Sequence, residues 1–157
     1  MILLDADILL IELRYPNDSR FAVNRQLLDN IQAGRVRAGM TVQALLEVVG
    51  VLSFNVSAAR VPRLADLLCV QYGLTLLPDP RHHPGYAGCT FGELVSQMSR
   101  QMALGDAVQA VQAVQIAHDV AEIDCLLSWN ARHFHNKIAV PVLTPPDWLA
   151  QQSSSAP

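Results

Sequence analysis

The chain opens on large apolar residues, Ile2-Leu3-Leu4, turns polar at Asp5-Ala6-Asp7, and is apolar again at Ile8-Leu9-Leu10. This pattern predicts a buried strand over Ile2 to Leu4. An ionised carboxylate in such a run is costly unless it stands at the strand's end, where a cation or hydrogen-bond donors can meet it. Asp5 then emerges at the C-terminal tip, where open parallel α/β sheets place their ligands. Phe21, Val23, Leu27, Leu28 and Ile31 follow at rough helical spacing, closed by Gly34. Val36 to Met40 reads as a short strand. Thr41 reads as the N-cap of a helix carrying Leu45, Leu46, Val48, Val49 and Leu52. Ser57 caps a further helix through Val61, Leu64, Leu67, Leu68 and Gln71, ended by Gly73.

Leu74 to Leu77 is the next expected strand, stopped by Pro78-Asp79-Pro80, and residues 81–90 read as a loop. A helix is expected from Phe91 to Met102, ahead of a break at Leu104-Gly105-Asp106. In the helix after it, Ala107, Ala110, Val111, Val114, Ala117 and His118 share one face, with Gln109, Gln112 and Gln115 largely opposite. Cys125 to Ser128 and Val140 to Leu143 read as strands, the latter before Pro145-Pro146. Strands alternate with helices throughout, which predicts an α/β protein with a mostly parallel central sheet and helices on both sides. No repeat or linker divides it. The polar, Ser-rich end reads as a flexible tail over 150–157, leaving a single domain over 1–149.

Composition agrees with a doubly covered sheet: 157 residues, 51% hydrophobic and 16% charged, with a mean hydropathy of +0.23. Disorder is excluded on these figures. The net charge of −3 means that no broad basic surface advertises nucleic acid. Phosphate could still be held through a cation in an acidic site. Cys69, Cys89 and Cys125 are odd in number and form no C-x-x-C pair, as expected of reduced thiols in a cytoplasmic protein. The start reads as no signal peptide, and no apolar run approaches the ~18 residues that a membrane span needs.

Most acidic residues need only solvent: Asp18, Asp29, Asp66, Glu93 and Asp147 fall on polar faces or in turns. Four polar positions stand apart. Asp5 tips the first strand, Glu47 sits within Leu45-Leu46-Glu47-Val48-Val49, Asp106 opens the last clear helix, and Asn130 follows the strand Cys125 to Ser128. Each has an ordinary reading too, as a helix-terminal anion, a turn residue or a helix-edge carboxylate. Taken together they are oxygen donors at strand ends and helix starts of one sheet, which is what Mg²⁺ or Mn²⁺ requires.

Four segments in order, Ile2 to Leu10, Thr41 to Glu47, Leu104-Gly105-Asp106-Ala107-Val108, and Leu126-Leu127-Ser128-Trp129-Asn130-Ala131-Arg132-His133-Phe134, resemble the PIN domain. More narrowly they resemble the VapC-like toxins of bacterial toxin–antitoxin pairs. Ile138 to Leu149 resembles the family's last strand and tail, so the likeness spans about residues 1 to 149. It implies a three-layer α/β/α fold and a Mg²⁺- or Mn²⁺-dependent ribonuclease. Asp5, Glu47 and Asp106 match the family's first three acidic positions. Asp5 and Asp106 would be inner-sphere metal ligands, with Glu47 acting through water or orienting the attacking water. Asn130 stands where many members carry a further Asp, and Asp7 where Asn is common, so the carboxylate at Asp7 could offset the one lost at Asn130. Ser128 matches a site hydroxyl, and Arg132 is a candidate phosphate contact beside Asn130, with a weaker claim for Arg14.

The resemblance also implies an RNA substrate, a cognate antitoxin whose tail fills the acidic groove, and a homodimer through apolar patches on the early helices. A PIN module that binds RNA or protein without cutting is the alternative, suggested by Asn130 and the lack of basic surface. A flavodoxin- or receiver-like domain is disfavoured: no glycine-rich loop follows the first strand, and Lys137 is the only lysine. Zinc is disfavoured as well. His82-His83, Cys89, His118, His133 and His135 supply donors without ligand spacing. His118 reads as a packed residue and His133 as part of the turn after the strand. Asp119 reads as solvated and Asp124 as a strand-entry residue. Glu12 would join the site only if its helix turned it inward.

Overall fold

The computed structural model describes residues 1–78, 89–119 and 122–154. The expected turn residues 79–80, most of the 81–90 loop including His82-His83, and the end of the tail at 155–157 lie outside them. Five parallel strands form one sheet: β1 (Ile2–Leu4), β2 (Ala38–Thr41), β3 (Leu74–Leu77), β4 (Cys125–Leu127) and β5 (Val142–Leu143), in the order β3-β2-β1-β4-β5. The chain thus winds from β1 outward to β3, then returns to build β4 and β5 on the other side of β1. The strand order reverses between β1 and β4.

The apolar strands serve two cores because successive side chains point to opposite faces. Ile2, Leu4, Cys125 and Leu127 enter one cluster. Leu3 and Leu126 enter the other. Helices α1 (Ala6–Arg14), α2 (Phe21–Gln32), α3 (Val42–Ser53), α4 (Val61–Tyr72) and α7 (Pro145–Ser154) contribute to the first. Helices α5 (Phe91–Met98) and α6 (Leu104–Asp119) cover the second. The result is a three-layer α/β/α sandwich. Gly39 of β2 is required by this packing, since a Cβ there would stand 2.8 Å from the Thr75 carbonyl oxygen.

Thr41 caps α3 as expected, its hydroxyl accepting from the Ala44 N–H at 3.1 Å. Gly73 ends α4 in the left-handed conformation (φ +64) that glycine adopts without strain. Ile8-Leu9-Leu10, part of the apolar opening run in sequence, belong to α1, which starts directly after Asp5. At the other end α7 runs to Ser154, its start fixed by Thr144, whose hydroxyl accepts from the Asp147 N–H.

Helix α6 departs from its expected faces. Gln109 and Gln112 are 2% and 0% exposed, whereas His118 has an 84% exposed side chain and pairs with Asp119. A helix this rich in alanine and glutamine has little apolar contrast, so its buried face is set by close approach of Ala107, Ala110 and Ala113 to the sheet. The glutamines beside that face bury their stems and spend their amides inside. Gln112 Oε1 accepts from the Gln43 N–H of α3 at 3.2 Å. Glu12 turns away from the carboxylates of the sheet edge: it pairs with Arg25 of α2.

Candidate functional site

Asp5 occupies the joint between β1 and α1. Its own N–H donates to Leu127 O of β4 at 2.9 Å, which extends the ladder by one bond. Its Oδ1 accepts from the Ala6 N–H at 2.7 Å, and its Oδ2 accepts from the Ser128 hydroxyl at 2.6 Å. Ser128 follows β4, so the two residues meet across β1 and β4 at the point where the strand order reverses. Open α/β sheets bind ligands in the crevice at such a point.

Asp7 completes the cluster from the first turn of α1. Its Oδ2 accepts from Ser128 Oγ at 3.1 Å, from the Asn130 N–H at 3.2 Å and from Asn130 Nδ2 at 3.4 Å. The Asn130 N–H also points to Ser128 Oγ at 2.9 Å. Four residues from two distant segments are thereby joined in one network. Asp7 Oδ1 is buried without any hydrogen-bond partner.

This crowding is visible in the acidities. Burial pushes the Asp5 carboxyl above its ordinary value, opposed by the hydrogen bonds from Ser128 and Ala6 and aided by the nearby Asp106 charge. Burial, then repulsion from Asp5, pushes Asp7 up to about 8. Glu47 of α3 stands at the exposed rim, its carboxyl also raised, by partial burial and by the charges of Asp5 and Asp106. Asp106, in the first turn of α6, meets His133 of the turn after β4, Nδ1 to Oδ2, at 3.2 Å. Gln109, one helical turn on, lies close enough to favour the charged form of Asp5, yet its buried Nε2 makes no hydrogen bond.

The residues expected from sequence therefore fall into groups. Asp5, Asp7, Ser128 and Asn130 touch through hydrogen bonds. Glu47 and Asp106 act on Asp5 through charge. Arg132 is exposed and makes no hydrogen bond or ion pair among the described residues, and Arg14 reaches the Val51 carbonyl instead. His133 and Gln109 join the site beyond those expectations. Both carried a usable signal, lying three residues after Asn130 and one turn after Asp106 respectively.

An oxygen-rich donor set with a buried, unpartnered carboxylate oxygen and three carboxyls of raised pKa fits a hard divalent cation, which would relieve that repulsion. Among the described residues, no group of three or more His, Cys, Asp or Glu side chains forms a ready-made metal cage. The fit is to an open site, with one or two carboxylates as ligands and water in the remaining positions.

The sheet order and the helices on both faces define a three-layer α/β/α fold that is PIN-like. The chain is similar to a solved structure of FitAB bound to an IR36 DNA fragment, with a TM-score of 0.56 and 16% identity, covering 92% of this chain and 95% of that one. It is also similar to the PIN domain of T. brucei RRP44, with a TM-score of 0.43 and 16% identity over 99% of this chain and 82% of that one. No protein-family model matches the sequence, and no curated protein matches it. No helix among the described residues is long and apolar enough to cross a membrane.

Proposed function

We propose that the chain is a Mg²⁺- or Mn²⁺-dependent endoribonuclease, the toxin half of a toxin–antitoxin pair. The observation that carries this reading is the contact of Asp5 and Asp7 through one buried hydroxyl, Ser128, at the sheet's switch point. Two carboxylates so placed, with Asp106 and Glu47 adding negative charge, are a strained arrangement without a cation. The PIN-type fold and the four resembling segments support the choice of phosphodiester chemistry.

In this reading Asp5 and Asp106 hold the ion, with Asp7 beside them. When bound, the ion supplies Lewis acidity, making a water more acidic and offsetting charge that builds on the phosphate oxygens. Ser128 keeps the Asp5 and Asp7 carboxylates oriented. Glu47, whose carboxyl is already biased towards holding a proton, is suited to take one from the attacking water. Asn130 orients Asp7 through its N–H groups and adds no charge. An antitoxin tail would compete for the same groove. A homodimer would have Leu46, Phe54, Leu67 and Val70, exposed on or beside α3 and α4, to cover.

The open donor set and the neutral Asn130 favour a second reading, a PIN module that binds RNA without cutting it. Cleavage of RNA with Mn²⁺ or Mg²⁺, with and without EDTA, separates the two. The nuclease reading expects activity lost in EDTA and in Asp5→Ala and Asp106→Ala variants whose circular dichroism is unchanged. Uncut RNA at ample metal, with measurable RNA binding, would establish the second. Calorimetry showing no divalent-ion binding would remove the first.

A further inference from the structure

Beside the acidic cluster lies a cation that is already oriented. Arg20 stands just before α2, and Asp18 holds one edge of its guanidinium: Nε to Oδ1 at 2.9 Å and Nη2 to Oδ2 at 2.7 Å, with Oδ1 also accepting the Arg20 N–H at 2.8 Å. Its Cζ lies over the Trp129 indole, 5.7 Å from the ring centroid. Trp129 falls between Ser128 and Asn130, both of which bond to Asp7. Its ring is fixed in turn, since Nε1 donates to Asn24 Oδ1 at 3.0 Å and Asn24 is fully buried. The Asp7 charge contributes to holding the Arg20 guanidinium protonated. The second edge of the guanidinium has no hydrogen-bond partner among the described residues, and the side chain is 42% exposed.

We infer that Arg20, held by Asp18 over Trp129, is the phosphate anchor of the nuclease site, receiving a backbone phosphate of single-stranded RNA on its open edge. This rests on the ribonuclease reading above and assigns it a substrate contact. The chemistry is specific to arginine: a planar fork can be gripped on one edge, stack on an aromatic face and still meet phosphate with the other edge. In a protein of net charge −3, one pre-oriented cation at the site matters more than it would on a basic surface. Trp129, partly exposed beneath it, offers an aromatic edge for an adjacent base. Asp18 is a positioning residue. It touches no substrate and sets the angle of the fork.

Asp18 makes the inference testable by sign. If only bulk charge mattered, Asp18→Asn would strengthen RNA binding, because it removes a negative charge beside the site. If Asp18 orients Arg20, the same change weakens binding. The probe is a fluorescently labelled 2′-O-methyl single-stranded RNA of mixed sequence, kept uncut by EDTA and read by anisotropy against full-length protein across a salt series. Arg20→Ala is expected to weaken binding about tenfold and to lower the salt slope by roughly 0.7, the value for one phosphate contact on a single strand. Arg20→Lys should recover the slope and only part of the affinity, and Asp18→Asn should weaken binding about threefold or more. Wild-type binding with an unchanged Arg20→Ala, or a tighter Asp18→Asn, overturns this inference and leaves the nuclease reading standing. No binding and no cleavage by the wild type overturns both.

Discussion

Asn130 turns both of its N–H groups onto Asp7, the backbone one at 3.2 Å and the side-chain amide at 3.4 Å from the same oxygen. The position where the resemblance to PIN domains places a further carboxylate is thus bonded to Asp7, the position where that resemblance places a neutral residue. If the negative charge has moved from position 130 to position 7, the two positions compensate. Asp7→Asn should lower divalent-ion affinity, and adding Asn130→Asp should restore most of it. Isothermal titration with Mn²⁺ reads both, and a double variant no better than Asp7→Asn alone ends the idea.

The acidity of Asp7 makes stability depend on pH in a definite direction. Unfolded, the group ionises near 3.8; folded, it holds its proton up to about 8. Between these values the folded state binds more protons, so its stability falls as pH rises from about 4 to about 8, then levels off. Asp7→Asn removes this titration. The variant should gain over the parent in melting temperature between pH 5 and pH 8, by up to about 8–16 °C, since a proton held across about three pH units corresponds to at most ~4 kcal/mol. Calorimetry in metal-free buffer checks it, and equal differences at both pH values would count against it.

His133 is expected to matter for turnover more than for folding. Its Nδ1 meets Asp106 Oδ2 at 3.2 Å, and both side chains are partly exposed, at 44% and 29%. Groups that orient a metal ligand typically change affinity or activity by about 10–100-fold when removed. On the proposed nuclease reading, with Asp106 holding the ion, His133→Ala should reduce metal-dependent cleavage by about that factor, with RNA binding and melting temperature nearly unchanged. His133→Gln, which keeps a donor, should recover part of the rate. A matching loss of RNA affinity would assign His133 to substrate instead.

The legible and illegible parts of the molecule differ in range. The order of the elements and the strand Leu74–Leu77 follow from apolar runs and their breakers, which are local properties. Asp5 was legible because a carboxylate beside a fully buried strand has few places to go. Gln109 and Gln112 were not, because α6 is lined with alanines and its faces are chosen by neighbours rather than by pattern. Arg20 was hidden for a different reason. Its partner Trp129 lies just beyond β4, far away in sequence, and Asp18, whose turn position calls only for solvent, grips the guanidinium. Arg132, close to Asn130 in sequence, has its side chain in solvent.

Asn24 joins these distant pieces, and its removal should be felt in both stability and the site. It is fully buried, donating from Nδ2 to Ile8 O of α1 at 2.9 Å and accepting from Trp129 Nε1 at 3.0 Å. Asn24→Ala leaves the partly buried indole N–H without its acceptor, at about 1–3 kcal/mol, together with a lost donor to α1. A fall of about 5–10 °C in melting temperature follows for a chain of this size. Asn24→Asp separates the two bonds, since it keeps the acceptor for Trp129 but sets a second oxygen against Ile8 O in a buried position. It should destabilise at least as much as Asn24→Ala at neutral pH and recover as the carboxyl is protonated. Asn24→Ala should also redden and broaden Trp129 emission, measured in a Trp148→Phe background where Trp129 is the sole tryptophan. An unshifted spectrum with a lowered melting temperature would mean that Asn24 supports α1 alone and leaves the indole where it is.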